Sequence, residues 1–251
     1  MREIPGRRRG LRFRRGKRDA GMEGVAKTVP GQLDAALLYA TAWAWPVLPG
    51  VGLRSGGARP TAAGAEARTG AGDLVAAGCA CPDPECVAPG AHPFDPGLLA
   101  ATTDARMIRW WFGGRPDAPV LLATGGRAPC AVSLPAAAGA RALAALDAQG
   151  MRLGPVVATP NRLAVLVAPY GLERLGELLY AKDSVPGSLR FHGDGGHLPL
   201  PPSVTGTGQV RWERAPLEGS ARPWLPDVEA VLDALVEAST STPGGGSRLA
   251  Y

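Results

Sequence analysis

Fourteen residues from Cys79 to His92 carry three cysteines and a histidine, separated by turn-forming proline and glycine. Tetrahedral zinc takes thiolate sulfur and imidazole nitrogen, and a short loop can deliver four such ligands to one ion. The proline-rich spacers reduce the conformational freedom lost when Cys79, Cys81, Cys86 and His92 converge. Four protein ligands close the coordination shell, so the expected Zn2+ is structural and the stretch reads as a zinc knuckle. The alternative is that these cysteines pair as disulfides in a secreted protein. No signal-peptide pattern precedes them, and clustered cysteines of cytosolic proteins are more often metal ligands. Cys130 stands alone and reads as a small buried residue.

A chain of 251 residues with 45% hydrophobic content can bury a real core. The expected organisation is one domain over residues 22–238, between a basic tail at 1–21 and a polar, Gly-rich tail at 239–251 that has no reason to fold. No apolar run is long enough to cross a bilayer, so a soluble, cytoplasmic protein without membrane contact is expected. The net charge of +5 divides unevenly. Residues 1–21 hold nine of the 27 Lys and Arg but only two of the 22 Asp and Glu, giving +7 there and −2 in the rest. The mildly acidic body argues against a broad basic face for nucleic acid. The tail has two readings: a disordered arm that grips phosphates, or sequence upstream of a true start at Met22.

Leu33, Ala36, Leu37, Ala40 and Trp43 recur at helical spacing, which predicts an amphipathic helix from Gln32 to Trp43. Trp45-Pro-Val-Leu-Pro reads as a short strand, and residues 52–72 as a flexible loop that delivers the knuckle. Thr103-Asp104 should cap a helix running through Trp111, with Trp110 and Trp111 used in packing. Residues 119–124 and 130–134 read as strands, 135–150 as a helix, and 155–159 and 163–167 as two strands joined by a turn at Pro160-Asn161-Arg162. A helix is expected from Leu172 to Tyr180. Two short strands then flank the glycine turn at Gly193-Asp194-Gly195-Gly196, where His192, Asp194 and His197 crowd together. A proline-fixed loop carries Ser203 to a last strand near Trp212, and Pro226 to Glu237 closes the domain as a helix. The alternation of helices and strands implies an α/β (α+β) fold around a mixed sheet.

Several of these stretches together resemble one family, the bifunctional DNA primase/polymerase (Prim-Pol) domain of the archaeo-eukaryotic primase superfamily. They are Ala44-Trp45-Pro46-Val47-Leu48-Pro49, the knuckle from Cys79 to Pro93, Thr102-Thr103-Asp104 through Trp111, and Pro116-Asp117-Ala118 to Ala123-Thr124-Gly125. His192-Gly193-Asp194-Gly195-Gly196, Pro201-Pro202-Ser203 and Trp212 complete the set, which spans roughly residues 32 to 214. The resemblance implies an α/β catalytic module with an RRM-like sheet and flanking helices, a structural zinc, and template-directed nucleotide addition. Its partners would be DNA and nucleoside triphosphates.

That chemistry requires two Mg2+ or Mn2+ ions held by carboxylates. Where the family places acids on the strand after the Ala-Thr-Gly turn, this chain has Cys130-Ala131-Val132-Ser133-Leu134. Where it places a histidine on the next hairpin, this chain has Asn161-Arg162-Leu163-Ala164-Val165. Arg190 stands where a carboxylate precedes the Gly-Asp-Gly-Gly turn. With Ser133, Leu163 and Arg190 at the expected catalytic positions, a degenerate site is expected, and catalytic Mg2+ or Mn2+ only with residual activity. Arg190, His192, Asp194 and Ser203 are the candidates for nucleotide binding, with Asp194 able to hold one cation. The expected function is a DNA primase/polymerase-like protein that binds nucleotide or nucleic acid with lost or weak nucleotidyl transfer, a pseudoenzyme of DNA replication. The alternative is a non-catalytic, zinc-stabilised module that displays a surface to a protein partner. A Ser/His hydrolase has no support, because neither His192 nor His197 sits in a nucleophile motif.

Overall fold

Apart from Ser133, apolar side chains fill residues 130–134 and 163–167 without a polar stripe, the composition of strands buried on both faces. The computed structural model, which describes residues 31–54, 78–217 and 219–240, places these two strands at the centre of the larger of two main sheets. The chain begins with α1 (Gln32–Leu37), continued by a π-helical turn over Leu38–Ala42, then β1 (Val47–Pro49), α2 (Ala105–Gly114), β2 (Val120–Thr124) and β3 (Cys130–Pro135). Next come α3 (Ala136–Ala148), β4 (Val156–Ala158), β5 (Arg162–Val167), α4 (Leu172–Tyr180), β6 (Arg190–His192) and β7 (Gly196–Leu200). The small ladder β8 (Val204–Thr205) and β9 (Gly208–Gln209), then β10 (Arg211–Arg214) and α5 (Val228–Thr240), complete it.

The five-stranded sheet has the order β10-β4-β5-β3-β6, and β1-β2-β7 form a three-stranded sheet. Every pairing within both is antiparallel. The segment β3-α3-β4-β5-α4-β6 is thus a split β-α-β-β-α-β unit, the RRM-like sheet that the sequence resemblance implied. Side chains alternate across it. Cys130, Val132, Leu134, Leu163, Val165 and Val167 pack with Ala138, Ala142 and Leu146 of α3 and Val231 and Leu235 of α5. On the other face Ala131, Val157, Ala164 and Leu166 share a core with Val47, Leu121 and Leu122 of the small sheet and with Ile108 and Phe112 of α2. Tyr39, Trp43, Trp45 and Trp212 stack at that junction, with Tyr39 and Trp43 ring centroids 5.1 Å apart.

Two glycines are required by close approach. A Cβ on Gly139, in the middle of α3, would lie 2.6 Å from the Leu163 side chain, so glycine lets the helix settle on β5 despite a propensity cost of about 1 kcal/mol. Gly125 has a φ of +92° and would bring a Cβ within 2.3 Å of the Asp194 Cα. This contact, with the 2.7 Å hydrogen bond from Thr124 Oγ1 to the Gly193 carbonyl, clamps the turn between β6 and β7. At that turn the chain leaves the large sheet and enters the small one.

Several expectations shift in detail. The first helix closes with a π turn before Trp43, and α2 extends to Gly114 from an Asp104 cap that accepts from the backbone N–H groups of Arg106 and Met107. Trp111 is buried, whereas Trp110 is 72% exposed, so among the described residues the packing expected of the pair falls to Trp111. α5 reaches Thr240 because Ser239 is buried against its neighbours, so the start of the expected tail is helical. Gly52 and Leu53, expected within a flexible loop, form bridges to Gly90 and Cys79 of the knuckle. The rest of that loop, the basic tail 1–21 and residues 241–251 lie outside the described residues. Among the described residues no helix is long and apolar enough to cross a membrane.

Candidate functional site

The bridges from Gly52 and Leu53 hold the two ends of the knuckle, and the loop between folds its four candidate ligands inward. The thiols of Cys79, Cys81 and Cys86 and a ring nitrogen of His92 lie within 4.8 Å of one another. Ligands at tetrahedral zinc, with Zn–S near 2.3 Å, sit about 3.7 Å apart, so the cluster could hold a metal such as zinc after a small contraction. The histidine is prepared for it. Its Nδ1 lies 2.9 Å from the Pro93 carbonyl, which can only accept, so Nδ1 carries the proton and Nε2, 3.3 Å from Cys79 Sγ, keeps its lone pair. Burial pushes the Cys79 thiol up, but the N–H of Gly90, 3.2 Å away, together with Cys81 and His92 more than offsets this and brings it down to about 6. Cys81 is pushed up to about 11 by burial and by its Cys79 neighbour. All four cysteines of the chain are free thiols, with Cys130 fully buried as expected.

The second constellation lies on the face of the large sheet that carries Ala131, beyond the end of the shared core. Arg190 of β6 stands directly opposite Ser133 of β3. Ser133 Oγ lies 2.9 Å from His192 Nε2, and His192 Nδ1 lies 3.1 Å from the His197 carbonyl. The carbonyl fixes the tautomer: Nδ1–H donates to it, Nε2 accepts, and the Ser133 hydroxyl donates. Arg162, at the head of β5, places Nε and Nη2 at 3.3 and 3.2 Å from the same Oγ, and Nη2 also donates to the carbonyls of Ser133 and Ser188.

The electrostatics of this cluster on the sheet face favour anions. Burial, with lesser contributions from His197, Arg162 and Arg190, lowers His192 to about 4, so the ring is neutral near pH 7. Burial and the charge of Arg190 depress Arg162 to about 10, and it remains cationic. Among the described residues, neither arginine has a carboxylate within ion-pair distance.

Other candidate residues are placed elsewhere. Leu163 faces α3 in the helix-side core, so its side chain is on the opposite face from Ser133. Ser203 is fully buried, its Oγ accepting from the Val120 N–H at 2.8 Å, and ties the proline loop to β2 without reaching the cleft. Asp194 is exposed in the clamped turn, and its charge helps raise the Cys130 thiol, which places it toward the start of β3 rather than beside Ser133. Among the described residues the knuckle is the one group of three or more His, Cys, Asp or Glu side chains close enough to hold a metal, so no such group forms at Asp194. Arg162, which the sequence places in the turn at Pro160-Asn161-Arg162, instead opens β5 and organises this cluster. Its signal was a lone cation at the head of an otherwise apolar strand. His197 adds a connection, since its Nε2 donates to the Ala91 carbonyl at 3.1 Å and seats the knuckle on β7 next to His92.

Residues 36–228 match a known family, Prim-Pol, described as bifunctional DNA primase/polymerase, N-terminal. No curated protein and no solved structure matches the chain.

Proposed function

The chain belongs to the Prim-Pol family, and from that premise we propose that it is a nucleotide- or nucleic-acid-binding domain whose template-directed nucleotidyl transfer is lost or weak, with a structural Zn2+ in its knuckle. The observation that carries this reading is the register across β3 and β6: Ser133 faces Arg190 and bonds to Arg162 and His192. Nucleotidyl transfer by two metals needs carboxylates that converge on the triphosphate and on the attacking 3′-hydroxyl. Two guanidinium groups repel divalent cations instead, and the Ser133 hydroxyl and His192 Nε2 are already engaged with each other. For the knuckle, the support is the donor set: three thiols and an imidazole with its second nitrogen already bonded to a carbonyl. When bound, Zn2+ would supply cross-linking of the loop rather than chemistry, since all four positions are taken by protein.

The test is primer synthesis on single-stranded DNA with Mn2+ and all four deoxynucleoside triphosphates, run alongside equilibrium binding of the same nucleotides and template. The expected result is binding without extension above a heat-inactivated control. Robust extension that requires Mn2+ overturns the loss of transfer, and absence of both extension and binding overturns the functional reading as a whole.

A further inference from the structure

The two arginines of the cleft have an arrangement that the loss of a metal site does not by itself require. Arg162 is partly buried, held at Nε and Nη2 by Ser133 and Ser188, with no hydrogen bond at Nη1 among the described residues. Arg190 stands opposite Ser133, the residue whose hydroxyl Arg162 bonds, so the two arginines flank β3 on one face of the sheet, and Arg190 is itself exposed. Two like charges placed together on a sheet face, one partly desolvated and neither paired with a carboxylate, cost free energy that an anion between them recovers. The neighbouring groups add no negative charge: Ser133 and His192 are neutral, and the exposed carboxylate of Asp194 lies toward the far end of β3.

Resting on the reading of this domain as a nucleotide or nucleic-acid binder, we propose that Arg162 and Arg190 form a metal-independent oxyanion site for a phosphate group. The guanidinium pair takes over the charge neutralisation that divalent cations perform in a metal-dependent polymerase cleft. Arg162 is the fixed, pre-organised donor, oriented by its bonds to β3 and to Ser188. Arg190 is the exposed one, reaching the phosphate from the solvent side. A phosphate on a free nucleotide and one on a nucleic-acid strand present the same oxygens, so the site is defined by phosphate rather than by base.

Binding to the full-length, zinc-loaded protein tests this with inorganic pyrophosphate, dATP, deoxyadenosine, and a short single strand with or without a 5′-phosphate, each measured after dialysis with no added divalent cation and again in Mg2+. Pyrophosphate and dATP should bind at least as tightly without Mg2+ as with it, and deoxyadenosine should fail. Preference for the phosphorylated strand over dATP identifies a strand end as the source; equal affinity of both strands, above that for dATP, identifies the internal backbone. Arg190→Glu should weaken phosphate binding by about tenfold or more, with Arg190→Lys retaining most of it, since one charge-assisted hydrogen bond carries a factor of that order. Arg162→Gln should do the same, and because it also cuts bonds to β3, the exposed Arg190 variants keep the test decisive if it misfolds. Nucleotide binding that depends on Mg2+, or that survives Arg190→Glu unchanged, overturns the oxyanion site while leaving the broader reading intact. No binding by any probe overturns both.

Discussion

At the scale of single residues, His192 holds the cleft together in a way that leaves a pH signature. Its ring accepts from Ser133 and donates to the His197 carbonyl, an arrangement available only to the neutral form. With its value lowered from 6.5 to about 4 in the fold by burial, the unfolded chain takes up a proton there before the folded one does. Stability is therefore fully present above about pH 6.5 and is lost as the pH falls toward 4, by about 2 kcal/mol at pH 5. His197, lowered in the same direction by burial, adds to the trend. His192→Gln should be less stable than the parent at pH 7.5, having lost the Ser133 bond, yet should lose about 2 kcal/mol less between pH 7.5 and 5. Urea denaturation at both values checks this, and parallel losses in the two proteins would remove His192 as the titrating group. None of this was legible in the chain read linearly. His192 was marked by its crowded glycine turn, but its partners come from β3 and β7, and only the register brings Ser133 within reach.

At the scale of elements, the knuckle and the cleft differ in how much of them local sequence specifies. The knuckle was legible because ligand identity and spacing lie within one short loop, and the structure brings Cys79, Cys81, Cys86 and His92 together. The central strands were legible from apolar runs between turn residues, and α4 from its helical pattern. The π turn after α1 and the exposure of Trp110 were not, because both depend on what packs against α1 and α2. The bridges from Gly52 and Leu53, and the 2.9 Å bond from Arg54 Nη2 to the Cys81 carbonyl, join the knuckle to the strand that precedes it. Loss of one thiolate should thus release the loop as a unit. Cys81→Ser should purify with less than stoichiometric zinc by elemental analysis and melt at a lower temperature, since structural zinc contributes on the order of 10 kcal/mol to folding a small site. A variant that keeps one zinc per chain and an unchanged melting temperature would contradict a ligand role for Cys81.

At the scale of the whole molecule, the decisive feature is the change of sheet at Gly193–Gly196. β6 completes the five-stranded sheet and β7 completes the three-stranded one, so the two layers share a covalent turn as well as a core. Periodicity could place strands on both sides of this turn but could not assign them to different sheets, because pairing partners lie some 60 to 80 residues away in β3 and β2. The shared core predicts cooperative behaviour. Leu166 of β5 is fully buried on the face turned toward α2 and the small sheet, among side chains from both layers. Cutting it to alanine leaves a cavity that both layers line, and such truncations cost about 2–5 kcal/mol. If the layers fold as one unit, tryptophan fluorescence, with four of the six tryptophans (43, 45, 111 and 212) in or against the shared core, and far-ultraviolet circular dichroism should report a single coincident unfolding transition. Leu166→Ala should move both probes by the same amount. Separate transitions, with only one shifted by the substitution, would show two independently folding layers.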